Sequence, residues 1–356
     1  MLGFDYTMEL DFGSSEREEP GIFGPENPYS QDVLSQASNH AFTLRCFPQE
    51  LSSQHVLDFR ILMEPQADLF YQTDSFGNKF CYGVIRENHS LFRVEVSGHV
   101  QRLPDRRDAS TVQQEMVYRA QSQETRPGPV LTELYGKLMN GLYGSVRPES
   151  ADSTLWDSSS APSASAAETG AQGPLSLASE AGTHTSCAPA VETGVQVSSS
   201  PAAESGVHAS HIPPLRRAGA QEVLAYAEAA RDLVHSYMTY TPDSTRYDTR
   251  AEQAAKGKVG VCQDFSHMLL SLCRLAGIPA RYTAGLLIGE GRSHAWVEVA
   301  AGGLWYPMDP TNPDIAWDQQ IIFSHGRDAV DCKINRGTYY GPSAQMQFIQ
   351  ASVYEA

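Results

Sequence analysis

The chain has 356 residues, of which 19% are charged, and a formal net charge of −16. That length allows two domains with buried cores, and so acidic a balance makes nucleic acid and anionic membrane surfaces poor partners. No run of about twenty apolar residues occurs, and the N-terminus MLGFDYTMEL has no basic segment leading into an apolar one, so the expectation is a soluble, cytoplasmic protein.

Residues 1–146 read as a β-rich domain with a short helical tail. Alternating runs at 6–10 (YTMEL), 41–45 (AFTLR), 56–61 (VLDFRI), 79–84 (KFCYGV) and 91–96 (LFRVEV) predict antiparallel strands. Turn-forming residues separate them, among them the DSFGN stretch at 74–78, and a helix is expected over 131–143. Residues 147–213 change character, turning to Ser, Ala, Gly, Pro and Glu with no Lys or Arg between Arg147 and Arg216. Such a stretch lacks the apolar surface that would offset the entropy of ordering it, so it is expected to be a disordered low-complexity linker or insertion.

Residues 214–356 are expected to form the catalytic domain. Val223, Tyr226, Ala227, Ala230, Val234 and Met238 recur at helical spacing over 220–238. A second helix carries the stripe Phe265, Met268, Leu269, Leu272, Leu275 and Ala276, with Gly277 as its stop and Pro279 beyond. Cys262 therefore falls at or just before the first turn, where unpaired N–H groups and a partial positive charge favour a thiolate. The six cysteines form no CxxC pair and no dense disulfide framework, so reduced thiols are expected. His267 and Cys273 share this helix, but no CxxC or HExxH pattern accompanies them, and neither a metal nor a cofactor is expected.

Downstream, SHAWVEV (293–299) alternates as a strand with Ala295, Val297 and Val299 on its apolar face, leaving His294, Trp296 and Glu298 on the other. The following strand, LWYPMD (304–309), is reached through AAGG. A loop of four residues, or a two-residue turn at Ala301-Gly302, would set His294 directly opposite Asp309, with Cβ atoms about 4.5–5.5 Å apart. A Gly302-Gly303 turn would set Thr311 there instead. Thiol, imidazole and carboxylate together suit acyl transfer: Cys262 attacks, His294 moves the proton, and Asp309 fixes the tautomer. The backbone N–H of Cys262 would form half of an oxyanion hole, with the second donor unidentified. Gln263, Trp296 and Arg327 are candidates for the cleft wall, Trp296 serving either there or as a shield for the ion pair. Arg274, Gly277, Pro279 and Arg281 are read as structural, ending the helix and starting the next strand.

The stretches GVCQDFSHMLLSLCRLAGIPARY, SHAWVEV, DPTNP and GRDAVDCKINRGTYYG resemble the transglutaminase-like superfamily, and within it the bacterial transglutaminase-like cysteine peptidases. The likeness runs from about residue 223 to the C-terminus, and DSFGN resembles a turn in the β domain that precedes the core in that family. It implies an α+β fold with a papain-like core, in which a helix bearing Cys262 packs on an antiparallel sheet bearing His294 and Asp309. It also implies a peptide, protein or small amide substrate. Hydrolysis by a peptidase or amidase is the expected outcome, with glutamine–lysine cross-linking and a non-catalytic binding module as alternatives. Two features depart from the family pattern: the low-complexity insertion, and Cys332 where a small apolar residue is expected.

Overall fold

The computed structural model describes residues 1–12, 36–144, 215–341 and 345–356; the 147–213 segment lies outside the described residues. The N-terminal half contributes strands β1 (Leu2–Asp11), β2 (Ser38–Leu44), β3 (Gln54–Glu64), β4 (Phe70–Thr73), β5 (Lys79–Ile85) and β6 (Leu91–Arg102), then helices α1 (Val112–Arg119) and α2 (Pro129–Tyr143). The C-terminal half begins with α3 (Ala220–Tyr237), β7 (Thr239–Tyr240), α4 (Ala251–Gly257), β8 (Val259–Gly260) and α5 (Cys262–Leu275). Strands β9 (Ala280–Leu287), β10 (Gly289–Gly291), β11 (His294–Ala301), β12 (Leu304–Met308), β13 (Gln320–Gly326), β14 (Asn335–Tyr340) and β15 (Met346–Glu355) complete it.

The core sheet runs β12-β11-β9-β13, all antiparallel. Helix α5 lies against it, burying Phe265, Met268, Leu269 and Leu272 with Ala295, Val297 and Val299 of β11, while α3 and α4 cover its remaining sides. That is why α5 is buried nearly all round and its apolar residues spill beyond one stripe. Its end is a Schellman motif: Gly277 takes φ +78°, its N–H bonds to the carbonyl of Arg274, and the Ile278 N–H bonds to that of Cys273 at 2.9 Å. Arg274 is structural, its guanidinium held by the carbonyls of Tyr118, Ala280 and Arg327 and by the Thr125 hydroxyl.

The other two large sheets run β10-β15-β1-β6-β3 and β14-β2-β5-β4. In β1, Phe4, Tyr6, Met8 and Leu10 alternate inward to meet Phe42, Leu44, Phe92 and Val94, as a half-buried strand requires. The division at residue 214 is corrected here. Strands β14 and β15, expected with the catalytic segment, pair instead with N-terminal strands, β14 on β2 and β15 on β1 from Leu2↔Glu355 to Asp11↔Met346. Their alternating apolar residues, such as Ala351 and Val353, are buried in the core built by β1 and β6.

The two halves are joined along β13, the edge strand of the core sheet. The side-chain amide of Gln54 pairs with the main chain of Ile322, donating to its carbonyl at 3.0 Å and accepting from its N–H at 2.8 Å. Asn78 does the same at His325, at 2.7 and 2.8 Å. Two amides thus stand in for a missing neighbour strand and satisfy edge groups that would otherwise be buried unpaired. DSFGN is built for this: Asp74 accepts the N–H groups of Phe76 and Asn78 at 2.9 and 3.0 Å and so presents Asn78 to β13.

Candidate active site

The start of α5 is shaped by Gly260 and Asp264. Val261, at the N-cap, has no side-chain oxygen, so Asp264 reaches back to its N–H at 2.9 Å and takes the Thr245 hydroxyl at 2.5 Å on the same oxygen. A Cβ on residue 260 would stand 2.7 Å from that of Asp264, which explains the glycine before Val-Cys. Burial raises the Asp264 carboxyl above its ordinary value despite these hydrogen bonds. The result is a helix whose first residue is Cys262. The N–H groups of Cys262 and Gln263 have no hydrogen-bond partner among the described residues, and both residues line an open cleft of about 1280 Å³.

His294 begins β11, and Asp309 follows the last residue of β12. The ladder between these strands pairs Ala301 with Leu304 and Val297 with Met308, closed by Gly302 and Gly303 at φ +60° and +81°. This is the glycine turn, with φ above zero at both central residues as a two-residue hairpin of this kind needs. The directly opposed register of His294 and Asp309 is therefore corrected. Asp309 stands one diagonal step away, within reach of a long side chain, and with β12 ended at Met308 its carboxylate lies 2.7 Å from His294 Nε2. The N–H groups of Thr311 and Asn312 hold the other Asp309 oxygen at 2.9 and 3.0 Å, and the Gln320 amide approaches the first at 3.4 Å.

With Nε2 occupied by Asp309, Nδ1 is the nitrogen left for Cys262. Burial lowers the imidazole pKa, but hydrogen bonds that the ring donates toward Asp309 and Cys262, and the negative charges of both, outweigh it and raise it to about 10. Trp296 stacks on the ring at 6.0 Å and 24° and is fully buried. It shields the pair and does not line the cleft, because Gly285 opens a slot into which its ring fits. The face of β11 bearing His294, Trp296 and Glu298 is covered as well. Trp305 and Tyr118 meet there edge to face at 5.5 Å, and the segment leading into α1 pairs with β12 at Ala109↔Leu304.

Of the expected wall residues, Gln263 lines the cleft and donates to the Tyr247 carbonyl at 3.2 Å. Arg327 does not line it: Asp331 holds its guanidinium at 2.8 and 3.0 Å, and the neighbouring wall is formed by Ala329, Cys332 and Lys333. His267 lies behind this wall, accepting the Ala329 N–H at 3.1 Å. Buried Cys332 contacts the Tyr282 carbonyl at 3.8 Å, and burial raises its thiol pKa. Sequence reasoning missed Tyr240. Strand β7 pairs in parallel with β8, Tyr240 against Gly260, so its phenol lines the cleft near Cys262; burial first, then the thiol's charge, raise its pKa. Its only signal was a lone aromatic just past the end of α3. Gln320 was missed for want of any signal at all.

Residues 215–310 match the model of the transglutaminase-like superfamily core, and residues 34–101 match that of the bacterial transglutaminase-like N-terminal region. An uncharacterized protein of Mycobacterium leprae is 38% identical over 126 residues, 33% of this chain and 45% of that one. Another, of Mycobacterium tuberculosis, is 31% identical over 132 residues, 32% and 42% of the two chains. The chain thus spans less than half the length of these curated relatives. A crystal structure from Cytophaga hutchinsonii, described as that of a candidate cysteine protease, shares the fold at a TM-score of 0.59 and 15% identity, over 100% of this chain and 91% of that one.

Proposed function

Because residues 215–310 match the transglutaminase-like superfamily core and residues 34–101 the bacterial transglutaminase-like N-terminal region, we propose that this chain is a cysteine-dependent acyl-transfer enzyme that hydrolyses amide bonds. The observation that carries this reading is geometric: His294, held by Asp309 at 2.7 Å through Nε2, lines the same cleft as Cys262 at the start of α5, and the nearby carboxylate and thiol favour its charged form. An imidazole so placed stores the thiol proton as imidazolium and leaves a thiolate at a helix N-terminus.

The Cys262 sulfur attacks the substrate carbonyl, forming the C–S bond and an oxyanion. The free N–H of Cys262 and the phenol of Tyr240 hydrogen-bond that oxygen. His294 gives its proton to the departing nitrogen as the C–N bond breaks, leaving a thioester and a free amine. A water molecule then gives a proton to His294 while its oxygen attacks the thioester, releasing the carboxylic acid and restoring the thiol.

The test is turnover of peptide and ester libraries by the full-length protein. Cys262→Ala should lose roughly 10⁴-fold or more in rate with unchanged thermal melting, and Tyr240→Phe roughly 10²-fold. Retained turnover in Cys262→Ala would sink the mechanism. Amine incorporation that outpaces acid release would replace hydrolysis by cross-linking.

A further inference from the structure

Strand β10 pairs with β15 alone, through Gly289↔Val353, Glu290↔Ser352 and Gly291↔Ala351, and among the described residues nothing pairs with its other side. In an antiparallel ladder alternate residues turn their N–H and C=O away from the partner, so this edge presents main-chain donors and acceptors to its surroundings. Proteins usually blunt such an edge with lysine, proline or a covering segment. Here all three residues are exposed and two are glycines, and among the described residues no atom beyond the adjoining residues lies within 4 Å of the place where a Cβ of Gly289 or Gly291 would stand. From Glu290 the chain runs as continuous cleft wall through Gly291, Arg292 and Ser293 to His294.

We propose that β10 is the docking edge for the main chain of an extended peptide substrate, which adds to the sheet as a further strand and so carries one of its carbonyls past Cys262. This rests on the acyl-transfer reading above and narrows its substrate from amides in general to unfolded peptide segments. Three strand residues span roughly 10 Å, enough to pair with two or three substrate residues. A small amide has no repeating N–H and C=O groups with which to use such an edge, and a folded domain has already spent its own. Strand addition draws affinity from main-chain bonds, which makes the edge tolerant of substrate sequence.

The test uses the wild-type full-length chain. The rate of Cys262 labelling is measured with iodoacetamide, with a tri-alanyl acyloxymethyl ketone, and with that ketone N-methylated at each amide in turn. Docking on the edge predicts that methylation at alternate amides slows labelling roughly tenfold while the intervening positions change little. It also predicts slower hydrogen exchange at residues 289–291 once the peptidyl probe is attached. Equal rates for all methylated probes, or protection at another strand with none at β10, would overturn the docking edge. Cys262 reacting with iodoacetamide no faster than an ordinary thiol, and not at all with the ketone, would instead sink the acyl-transfer reading on which the edge depends.

Discussion

His294 with Asp309, at the cleft and half-buried, and His325 with Glu298, fully buried, are both histidine–carboxylate pairs on the core sheet, at 2.7 and 3.1 Å, yet their imidazoles shift in opposite directions. The difference lies in the third member. At the cleft that member is a thiol, whose ionised form adds negative charge, and the His294 pKa rises to about 10. Around Glu298 it is Arg281, bonded to the same carboxylate oxygen at 2.6 and 2.7 Å and stacked on Trp305 at 4.3 Å. Burial raises the Glu298 carboxyl, but Arg281 and then His325 pull it well below its usual range; burial and Arg281 together lower His325 despite that carboxylate. A carboxylate can hold one buried cation with profit, and a guanidinium already holds this one. On the proposed mechanism the first pair cycles a proton, whereas the second is a fixed cross-strand tie, since Arg281 and Glu298 are register partners.

The largest effect is expected from removing the charge of Asp309. In Asp309→Asn, the oxygen that serves Thr311 and Asn312 keeps its place, so the new amide turns its N–H toward His294 Nε2. Nε2 must then be the unprotonated nitrogen and Nδ1 the protonated one, which leaves nothing to accept the Cys262 proton. A loss of roughly 10⁴-fold in kcat is expected. In the wild type, kcat/KM should fall on the alkaline side only as pH passes about 10, where the His294 imidazolium is lost. The stability that goes with that charge is fully present below the ordinary histidine pKa of about 6.5 and is lost as pH rises through 10, because the folded value is the higher one. An alkaline limb near 7 in the wild type would show that the pair does not hold its proton as described.

Arg281→Met should turn the second pair into a likeness of the first. Freed of the guanidinium, Glu298 would draw a proton onto His325 and raise its pKa above 6.5, which NMR titration of the ring resonance would follow. Removing one partner of a buried ion pair costs about 3–5 kcal/mol. The cost should be measured smaller at pH 5 than at pH 8, since a raised folded pKa adds its stability on the acid side. A His325 that stays neutral down to pH 5 in this variant would mean that burial, not Arg281, decides its state.

The elements were legible where a local period governs them. The α5 stripe, its Gly277 stop and the alternation of β1, β2, β5 and β6 each depend on neighbours in sequence, and the structure carries them; β3 forms where expected but stays largely exposed on both faces, and β4 was not foreseen. The contact between His294 and Asp309 was legible for a different reason than the register suggested: a diagonal step is short enough for a carboxylate to cross once its strand has ended. What could not be read is set by partners distant in sequence. The strands at 335–355 alternate like any other, and nothing in their residues says that β1 and β2 are their neighbours. Trp296 could not be assigned to a shield or a wall without Gly285, which lies on another strand.

The joint between the halves offers the smallest effect and the sharpest separation of the two pairs. Asn78 is buried and satisfies both main-chain groups of His325, the residue that carries the second imidazole, whereas nothing of the N-terminal turn touches His294. Asn78→Ala leaves a buried N–H and C=O unpaired at β13, at an expected cost of about 1–3 kcal/mol. If the two pairs are as independent as their charges suggest, urea unfolding should register this loss while the alkaline limb and the rate of Cys262 alkylation stay where they are in the wild type. The DSFGN turn would then be a support for the sheet and not a part of the chemistry. A shift of the alkaline limb in Asn78→Ala would instead show that β13, which also brings Gln320 to within 3.4 Å of Asp309, transmits its position to His294.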